Sequence, residues 1–393
     1  MKPTEIINRT LKNSLKQLAT TYPIVALMGP RQSGKTTLAK LTFPNFKYVT
    51  LEDLDTRTYA QEDPRDFLLY YSNGAIIDEI QRVPTLFSYI QTHVDKTNKV
   101  GQFILTGSQN FLLLEKITQS LAGRVALLKL LPLDLNELQK ADFALESIQL
   151  EKLLFKGFYP KIHASNLSST IWYSNYIQTY LERDVRTIKN IHDLSQFQLF
   201  LKMCAHRAGQ LLNLSELGNE CGINHNTVQG WLSILEASFI VYRLCPYYVN
   251  FNKRLTKMPK LYFYDTGLLC NLLNIQEASQ ISVHSYKGMI FENFVITDLI
   301  KQQLHNNTII PFYFWRDKLG NEIDCVIEKF NDLILIEIKS GKTIANDFFK
   351  GLRYWDKISD QKNYRKYLVY GGKENQKREI ANIIGWNNIV SIV

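Results

Sequence analysis

The first 140 residues alternate short apolar runs with segments of helical spacing. Apolar runs of strand character lie at 24–28, 46–51, 74–79, 101–108 and 125–128. Apolar positions of helical spacing predict helices over 3–20, 64–72 and 110–123, and a further helix is expected to start at Thr37. Strands that alternate with helices predict a mostly parallel sheet with helices on both faces. The fold class expected for this part of the chain is therefore α/β.

The pattern changes after this region, because helices come first and strands return later. The predicted elements are helices within 134–190 and at 212–221, 226–236 and 287–295, and strands at 240–244, 260–264, 312–316, 320–327 and 333–339. We therefore expect three domains: an α/β domain over 1–140, a helical connector with a winged helix over 141–280, and a small α/β domain over 281–393.

Length and composition narrow the class of protein. A chain of 393 residues is too long for one ordinary core, which supports two or three domains. No apolar run approaches the roughly 20 residues that a membrane-spanning helix needs, and the N-terminus has no apolar signal segment. The five cysteines are scattered, without a C-x-x-C pair. These features predict a cytoplasmic protein with no membrane partner.

Charge adds little to this picture. The net charge is +9, of which residues 1–140 supply 4 (17 basic, 13 acidic) and residues 141–393 supply 5 (29 basic, 24 acidic). A mild excess that is spread over the chain permits nucleic-acid binding without requiring it.

The most informative stretch follows the first apolar run, where residues 29–36 have the spacing G-x-x-x-x-G-K-[ST]. Its glycines allow backbone N–H groups to point at phosphate oxygens. Lys35 can reach the β- and γ-phosphates, and the Thr36 hydroxyl can bind Mg²⁺. The predicted nucleotide-binding residues are Gly29, Pro30, Arg31, Gln32, Ser33, Gly34, Lys35, Thr36 and Thr37.

Two later strands end in residues that suit the same site. Asp78 and Glu79 follow an apolar run, where Asp78 can support Mg²⁺ and Glu79 can polarise the attacking water. Thr106 or Ser108, after the next strand, can contact the γ-phosphate or the water, or can simply be polar residues at a strand end. Arg124 can stabilise charge on the γ-phosphate of its own or a neighbouring subunit, or can be a surface arginine after Gly123.

These segments resemble one subfamily of the AAA+ superfamily of P-loop ATPases. The matching stretches are 29–37, 76–81, 105–108 and 120–124, and the resemblance extends across the rest of the chain. It implies ATP binding with Mg²⁺, hydrolysis and a cytoplasmic setting. Because most of this subfamily of prokaryotic proteins has no assigned role, it implies no particular pathway.

The two short helices near residue 222 and the paired strands after them are typical of a winged helix-turn-helix. In a DNA-binding protein, His225, Asn226 and Gln229 would enter the major groove, and Lys253, Arg254, Lys257 and Lys260 would contact phosphates. Residues 190–275 hold 7 basic against 5 acidic residues, which is not a strong basic signal. A winged helix used for packing or for protein contacts is the alternative.

A second constellation lies near the C-terminus. Glu337 and Lys339 share one face of a predicted strand, and Asp324 lies on the strand before it. Two carboxylates can hold Mg²⁺ and a lysine can activate water or steady a charged transition state, while Glu292 on a helix can complete the ligands. This arrangement resembles the PD-(D/E)XK nuclease superfamily, which implies a restriction-endonuclease-like fold. The alternatives are solvent-facing charges on a strand pair, or a degenerate nuclease fold that binds without cutting.

The leading functional hypothesis is an ATP-hydrolysing protein that couples its nucleotide state to a nucleic-acid-directed, nuclease-like C-terminal domain. Residues 341–380 hold 10 basic against 5 acidic residues, which suits a DNA or RNA substrate. The alternative is a nucleotide-dependent binding switch for DNA or a protein partner, with a catalytically inactive nuclease-like fold. The expected cofactors are ATP and Mg²⁺, and a homo-oligomer is compatible with either hypothesis.

Overall fold

The computed structural model describes residues 6–107, 120–141, 147–165, 167–181, 194–247, 257–329, 332–359 and 363–392. The chain divides into two units. The first comprises the residues up to Leu133 with Ala237–Phe239 and Leu304–Thr308, and the second comprises Asp134–Glu236, Ile240–Gln303 and Ile309–Val393. The three-part division expected from the sequence stays a prediction.

The first unit is built on a sheet of five parallel strands in the order β2-β3-β4-β1-β5. The strands are β1 (Ile24–Met28), β2 (Lys47–Thr50), β3 (Ala75–Asp78), β4 (Phe103–Thr106) and β5 (Val125–Lys129). The helices are α1 (Lys12–Ala19), α2 (Lys35–Thr42), α3 (Leu54–Glu62), α4 (Pro64–Tyr70) and α5 (Leu86–Thr97). The predicted α/β class is confirmed.

The central strands are buried along their whole length, which explains why they appear in the sequence as continuous apolar runs. The carboxyl ends of these parallel strands meet at one edge of the sheet. The loop before α2, the end of β3 and the end of β4 therefore converge there.

The N-terminal helix is shorter than the apolar pattern predicts. The prediction covered residues 3–20, whereas α1 begins at Lys12 and ends at Ala19. Leu11 and Leu15 are both fully buried in the core of this unit. Leu11 precedes the helix and Leu15 lies within it, so the apolar spacing indicates burial rather than the extent of the helix.

The second unit begins with helices: α6 (Leu135–Lys140), α7 (Leu150–Lys156), α8 (Pro160–Ala164), α9 (Ser169–Tyr176), α10 (Leu194–His206), α11 (Leu214–Cys221) and α12 (His225–Ala237). Gly222 ends α11 with φ of 66°, and the Asn224 side chain accepts the Thr227 N–H at 2.8 Å at the start of α12. The helix–glycine turn–helix arrangement predicted from the sequence is therefore present. Later helices are α13 (Thr266–Leu272), α14 (Ala278–Ile281), α15 (Lys287–His305) and α16 (Lys350–Ile358).

The strands of the second unit form one eight-stranded mixed sheet in the order β12-β13-β11-β10-β9-β8-β6-β7. They are β6 (Val241–Pro246), β7 (Lys260–Phe263), β8 (Phe312–Arg316), β9 (Glu322–Lys329), β10 (Asp332–Lys339), β11 (Tyr364–Tyr370), β12 (Gln376–Lys377) and β13 (Asn382–Gly385). The strands β6 and β7 pair antiparallel as predicted, and β6 also pairs with β8. The predicted wing is thus one edge of the C-terminal sheet.

The core under this sheet is rich in large aromatic side chains. Trp315 of β8 and Trp355 of α16 are both fully buried, with ring centroids 5.3 Å apart and an edge-to-face angle of 87°. This contact fixes α16 against β8 and β9, the strands that border the acidic residues described below.

We expect Trp355→Ala to lower the free energy of unfolding by about 3–5 kcal/mol, because it removes a buried aromatic side chain and leaves a cavity. Chemical denaturation followed by far-UV circular dichroism measures the change. Leu319→Ala, at a residue that is 85% exposed, is the matched control and should change little. A loss for Trp355→Ala as small as that of the control would contradict the packing described here.

Candidate functional site

The loop between β1 and α2 has the backbone that phosphate binding requires. Gly29 has φ of 149°, and a Cβ there would lie 2.0 Å from the carbonyl oxygen of Leu130, so only glycine fits. Gln32 and Gly34 also have positive φ, at 64° and 95°, and Gly34 directly precedes α2. Successive N–H groups in such a loop, together with the helix N-terminus, form a concave site for an anion.

Two cations hold this loop. The Lys35 ammonium is buried and donates to the carbonyl oxygens of Gly29 and Pro30 at 2.9 and 2.8 Å. Arg9 is also buried, and its guanidinium donates to the carbonyl oxygens of Ser33 and Leu131, both at 2.7 Å. Arg9 thereby ties the phosphate-binding loop to the segment after β5, which lies about 100 residues further along the chain.

The carboxylate of Asp78 accepts hydrogen bonds from three hydroxyl groups. Thr36 donates to Oδ2 at 2.9 Å, and Tyr48 donates to the same oxygen at 3.0 Å. Thr106 donates to Oδ1 through a short hydrogen bond. The structure therefore brings together Thr36, Asp78 and Thr106, which the sequence assigned to one site, and adds Tyr48 of β2.

Tyr48 remains a hydrogen-bond donor throughout the physiological pH range. Burial and the facing Asp78 carboxylate raise the pKa of its hydroxyl to about 12. Lys40 lies over the tyrosine ring, with Nζ 3.3 Å from its centroid.

Glu79 follows β3 in a backbone conformation that is rare for its residue type. Its φ is 55° and ψ is 41°, in the left-handed region, and it directly precedes the turn Ile80–Arg82. The Glu79 carboxylate accepts a short hydrogen bond from the side-chain amide of Gln81. Strained backbone of this kind is concentrated at functional sites, where it aims a side chain.

These residues fit a nucleotide with its Mg²⁺. Thr36 and Asp78 supply a hydroxyl and a carboxylate, which are the oxygen ligands that Mg²⁺ prefers. The hydroxyl of Ser33 is buried in the loop and has no hydrogen-bond partner within the described part of the chain. It is a polar atom that a bound phosphate can satisfy.

Arg124 and Ser108 are the two other predicted residues of this site. Arg124 forms a two-pronged ion pair with Asp95 of α5, at 2.5 and 2.9 Å. Ser108 lies outside the described residues. The catalytic roles assigned to both stay predictions.

The predicted DNA-contacting residues lie near α12. His225, Asn226 and Gln229 are all exposed on the first turns of that helix, and Lys257 is exposed before β7. Lys253 and Arg254 lie outside the described residues. Contact of any of these residues with DNA stays a prediction.

Three of the four predicted nuclease residues are in direct contact. The Lys339 ammonium lies 3.2 Å from Oδ2 of Asp324 and 2.9 Å from Oε2 of Glu337. Asp324 also accepts the backbone N–H of Ile338 at 2.7 Å. The pairing of β9 with β10 explains this contact, because Cys325 opposes Ile336 and the next positions along the two strands are Asp324 and Glu337.

Glu292, the fourth residue, contacts a second lysine. Its Oε1 accepts from Lys260 Nζ at 3.1 Å and from the Tyr262 hydroxyl at 2.6 Å. Lys260 also pairs closely with Glu322, which in turn pairs with Arg316 at 2.9 Å. The expectation that Lys260 contacts phosphates from the wing is wrong, because its side chain is only 4% exposed and is enclosed by carboxylates.

The surroundings separate the pKa values of the two central carboxyl groups. Burial and the charge of Asp324 raise the pKa of Glu337 well above its usual range. Burial acts on Asp324 in the same direction, but the charges of Lys339 and Lys260 and the Ile338 N–H outweigh it and lower the pKa of Asp324. The carboxylates of Glu292 and Glu322 outweigh the effect of burial on Lys260 and raise its pKa.

The acidic cluster fits a divalent cation in ligand type. Asp324 and Glu337 point at one position, and both offer carboxylate oxygens. The same cluster is also largely neutralised by its own chain, because Lys260, Lys339 and Arg316 balance three of its four carboxylates.

Comparison with known proteins identifies the class. Residues 21–139 match the family described as AAA domain. Residues 147–279 match "Domain of unknown function (DUF8612)", and residues 287–389 match "Domain of unknown function (DUF4143)". The chain therefore carries a nucleotide-binding domain of the P-loop ATPase class, followed by two regions whose family descriptions state no activity.

The chain belongs to the same family as the uncharacterized protein Rv2008c of Mycobacterium tuberculosis. The two are 32% identical over 356 residues, which cover 89% of this chain and 77% of the relative. An uncharacterized protein of Haemophilus influenzae is 23% identical over 414 residues, covering 95% of this chain and 96% of the relative. Among solved structures, the Walker-type ATPase paby2304 of Pyrococcus abyssi is 15% identical with a TM-score of 0.44, covering 68% of this chain and 96% of that one.

Two additional findings concern the described residues. Within the described residues, no helix combines the length and the apolar character needed to cross a membrane. All five cysteines are described, and each carries a free thiol.

The sequence predicted no role for Arg9 or Tyr48, and it predicted the wrong partners for Lys260. Arg9 is one of several basic residues between the apolar positions of the predicted helix over 3–20, and Tyr48 stands inside the predicted strand over 46–51. The one signal for Lys260 is its position at the start of a strand whose later residues are all apolar or aromatic.

We expect Arg9→Ala to weaken ATP binding at least about tenfold, which corresponds to about 1.4 kcal/mol, because the carbonyls of Ser33 and Leu131 lose a charged donor. Titration with a fluorescent ATP analogue measures the dissociation constant. Arg9→Lys should restore part of the affinity, and Lys16→Ala, on the exposed side of α1, is the control. Wild-type affinity in Arg9→Ala would show that this contact does not hold the loop for nucleotide.

Proposed function

We propose that the protein hydrolyses ATP at the carboxyl edge of the five-stranded sheet. The observation that carries the proposal is the convergence of Thr36, Tyr48 and Thr106 on the Asp78 carboxylate. Three strands and the phosphate-binding loop contribute to this one cluster. A structural surface charge needs no such arrangement.

Each residue has a defined role in this proposal. The backbone N–H groups of the loop and Lys35 bind the phosphates, and Thr36 and Asp78 would hold Mg²⁺. When bound, Mg²⁺ neutralises charge that develops on the β- and γ-phosphate oxygens. Glu79, held by Gln81, orients and polarises the attacking water. Thr106 fixes the Asp78 carboxylate. Arg124 is assigned to the γ-phosphate charge, a role that requires its guanidinium to leave the ion pair with Asp95.

We expect Glu79→Gln to lower ATP turnover by about 10²–10⁴-fold, because it removes the group that polarises water. ATP binding should be retained, since the loop and Asp78 are unchanged. Phosphate release and nucleotide titration measure the two quantities, and Glu62→Gln, at an exposed acid of α3, is the matched control. Unchanged turnover in Glu79→Gln would remove Glu79 from the mechanism.

A second candidate function concerns the eight-stranded sheet. We propose that Asp324, Glu337 and Lys339 form a nuclease-like centre that takes a nucleic acid, with the nucleotide state of the first unit controlling its use. The shared contact of both carboxylates with Lys339 Nζ favours this reading. In such a centre Asp324 and Glu337 would hold Mg²⁺, and Lys339 would orient water or stabilise the phosphate.

The binding switch remains the alternative, and Lys260 is the observation in its favour. A buried ammonium between Glu292 and Glu322 already supplies a positive charge where a metal-dependent nuclease collects carboxylates. In that case the fold binds nucleic acid or a protein partner without cutting it.

We expect Asp324→Asn to abolish Mg²⁺-dependent cleavage of labelled DNA or RNA and to leave ATP turnover intact. Asparagine keeps an oxygen that can accept the Ile338 N–H but removes the charge that faces Lys339, so the melting temperature of the variant is measured beside its activities. Asp332→Asn, at an exposed residue of the same strand pair, is the control. Cleavage that survives in Asp324→Asn places the activity elsewhere, and a wild-type protein that turns over ATP but cuts no substrate supports the switch.

A further inference from the structure

We propose that the outer face of α16 and the turn between β8 and β9 form a groove that binds the phosphodiester backbone of a nucleic acid. This inference rests on the nucleic-acid role proposed above, and it assigns the contact with the nucleic acid to this groove. The groove has a volume of about 420 Å³. Its lining residues are Asn321, Asn346, Asp347, Lys350, Arg353, Tyr354 and Lys357.

The charge of this groove comes from one helix face. Lys350, Arg353 and Lys357 are spaced at i, i+3 and i+7, so their side chains lie on the same side of α16. All three are exposed, and Asp347 is the single acid in the lining. A row of three exposed cations against one exposed acid is complementary to a chain of phosphates.

The acid of α16 itself does not neutralise this row. Asp356 pairs with Lys366 at 2.8 Å and accepts the Tyr364 hydroxyl at 2.7 Å, both on β11. Within the described ranges, no carboxylate forms an ion pair with Lys350 or Lys357. The two ammonium groups therefore keep their charge available for a ligand.

The groove is also partly preorganised. The guanidinium of Arg353 donates to the backbone oxygen of Asn346 at 3.1 Å and to its side-chain oxygen at 2.5 Å. On the opposite rim, Asp317 accepts from the side-chain amide of Asn321 at 2.9 Å and from the Tyr354 hydroxyl at 3.0 Å. Fixed donors lose less conformational entropy when they bind a ligand.

The same two elements border the acidic cluster. The inner face of α16 lies so close to Glu337 that a Cβ on Gly351 would be 1.9 Å from Oε1 of that residue. On the other rim, Asn321 precedes Asp324 by three residues, about 10 Å along a strand. Since one strand of duplex DNA advances about 3.4 Å per nucleotide, a few nucleotides cover that distance. The groove and the acidic cluster therefore share α16 and the start of β9.

The test is the salt dependence of binding. The triple variant Lys350→Glu, Arg353→Glu, Lys357→Glu is compared with a matched control of equal charge change, Lys16→Glu, Lys99→Glu, Lys152→Glu, at exposed lysines outside the groove. Full-length proteins are titrated with labelled duplex DNA, single-stranded DNA and single-stranded RNA of about 20 nucleotides, between 50 and 200 mM salt.

Loss of three phosphate contacts should reduce the slope of log K against log salt by about 2.7 for a duplex and about 2 for a single strand. The control should keep the wild-type slope, and the three probes identify which nucleic acid the groove prefers. ATP turnover and melting temperature confirm that the groove variant is folded.

Two results would overturn the proposal, and they are distinguishable. An unchanged slope in the groove variant places the contact on another surface and leaves the nucleic-acid role in place. A wild-type protein that binds none of the three probes removes both the groove and the nucleic-acid role, while ATP turnover still reports on the first unit alone.

Discussion

The nucleotide site depends on a single buried carboxylate. Hydroxyl groups from α2, β2 and β4 all donate hydrogen bonds to the Asp78 carboxylate and hold it in position. That convergence requires the strand order of the sheet, in which β4 lies between β1 and β3. A rearrangement of these strands would leave the buried Asp78 carboxylate without its hydrogen-bond donors, which would destabilise the folded state. The nucleotide site of the first unit therefore requires the observed strand order of its sheet.

The second unit handles charge differently. Four carboxylates collect on neighbouring positions of β9, β10 and α15, and the chain supplies its own cations against them. Removing one partner from such a network leaves the others buried and unpaired, which explains how the cluster can be essential to the fold whether or not it holds a metal. Burial raises the pKa of both Asp324 and Glu337, but Lys339, Lys260 and the Ile338 N–H outweigh it at Asp324, so the two carboxyl groups are not chemically equivalent.

The sequence was sufficient for features that local spacing determines. The phosphate-binding loop, Asp78 and the β9–β10 pair follow from motif spacing and strand periodicity, which need no knowledge of distant contacts. The partners of Arg9, Tyr48 and Lys260 could not be predicted, because they are separated from these residues by tens to more than a hundred positions. The predicted start of the first helix was too early, because apolar residues are buried whether or not the backbone around them is helical. Side-chain pairing over long separations is set by topology, which one sequence does not display.

The place of β6 and β7 in the eight-stranded sheet has a consequence for how the chain folds. The sheet takes strands from two separated parts of the sequence, 241–263 and 312–385. A fragment starting at residue 281 would leave β8 without β6, and would offer its unpaired backbone groups to other chains. Completion of the sheet must wait for segments that lie far apart in sequence, which slows folding through the entropy of loop closure. Strands β6 and β8 belong to two different family regions, 147–279 and 287–389, yet they pair in one sheet.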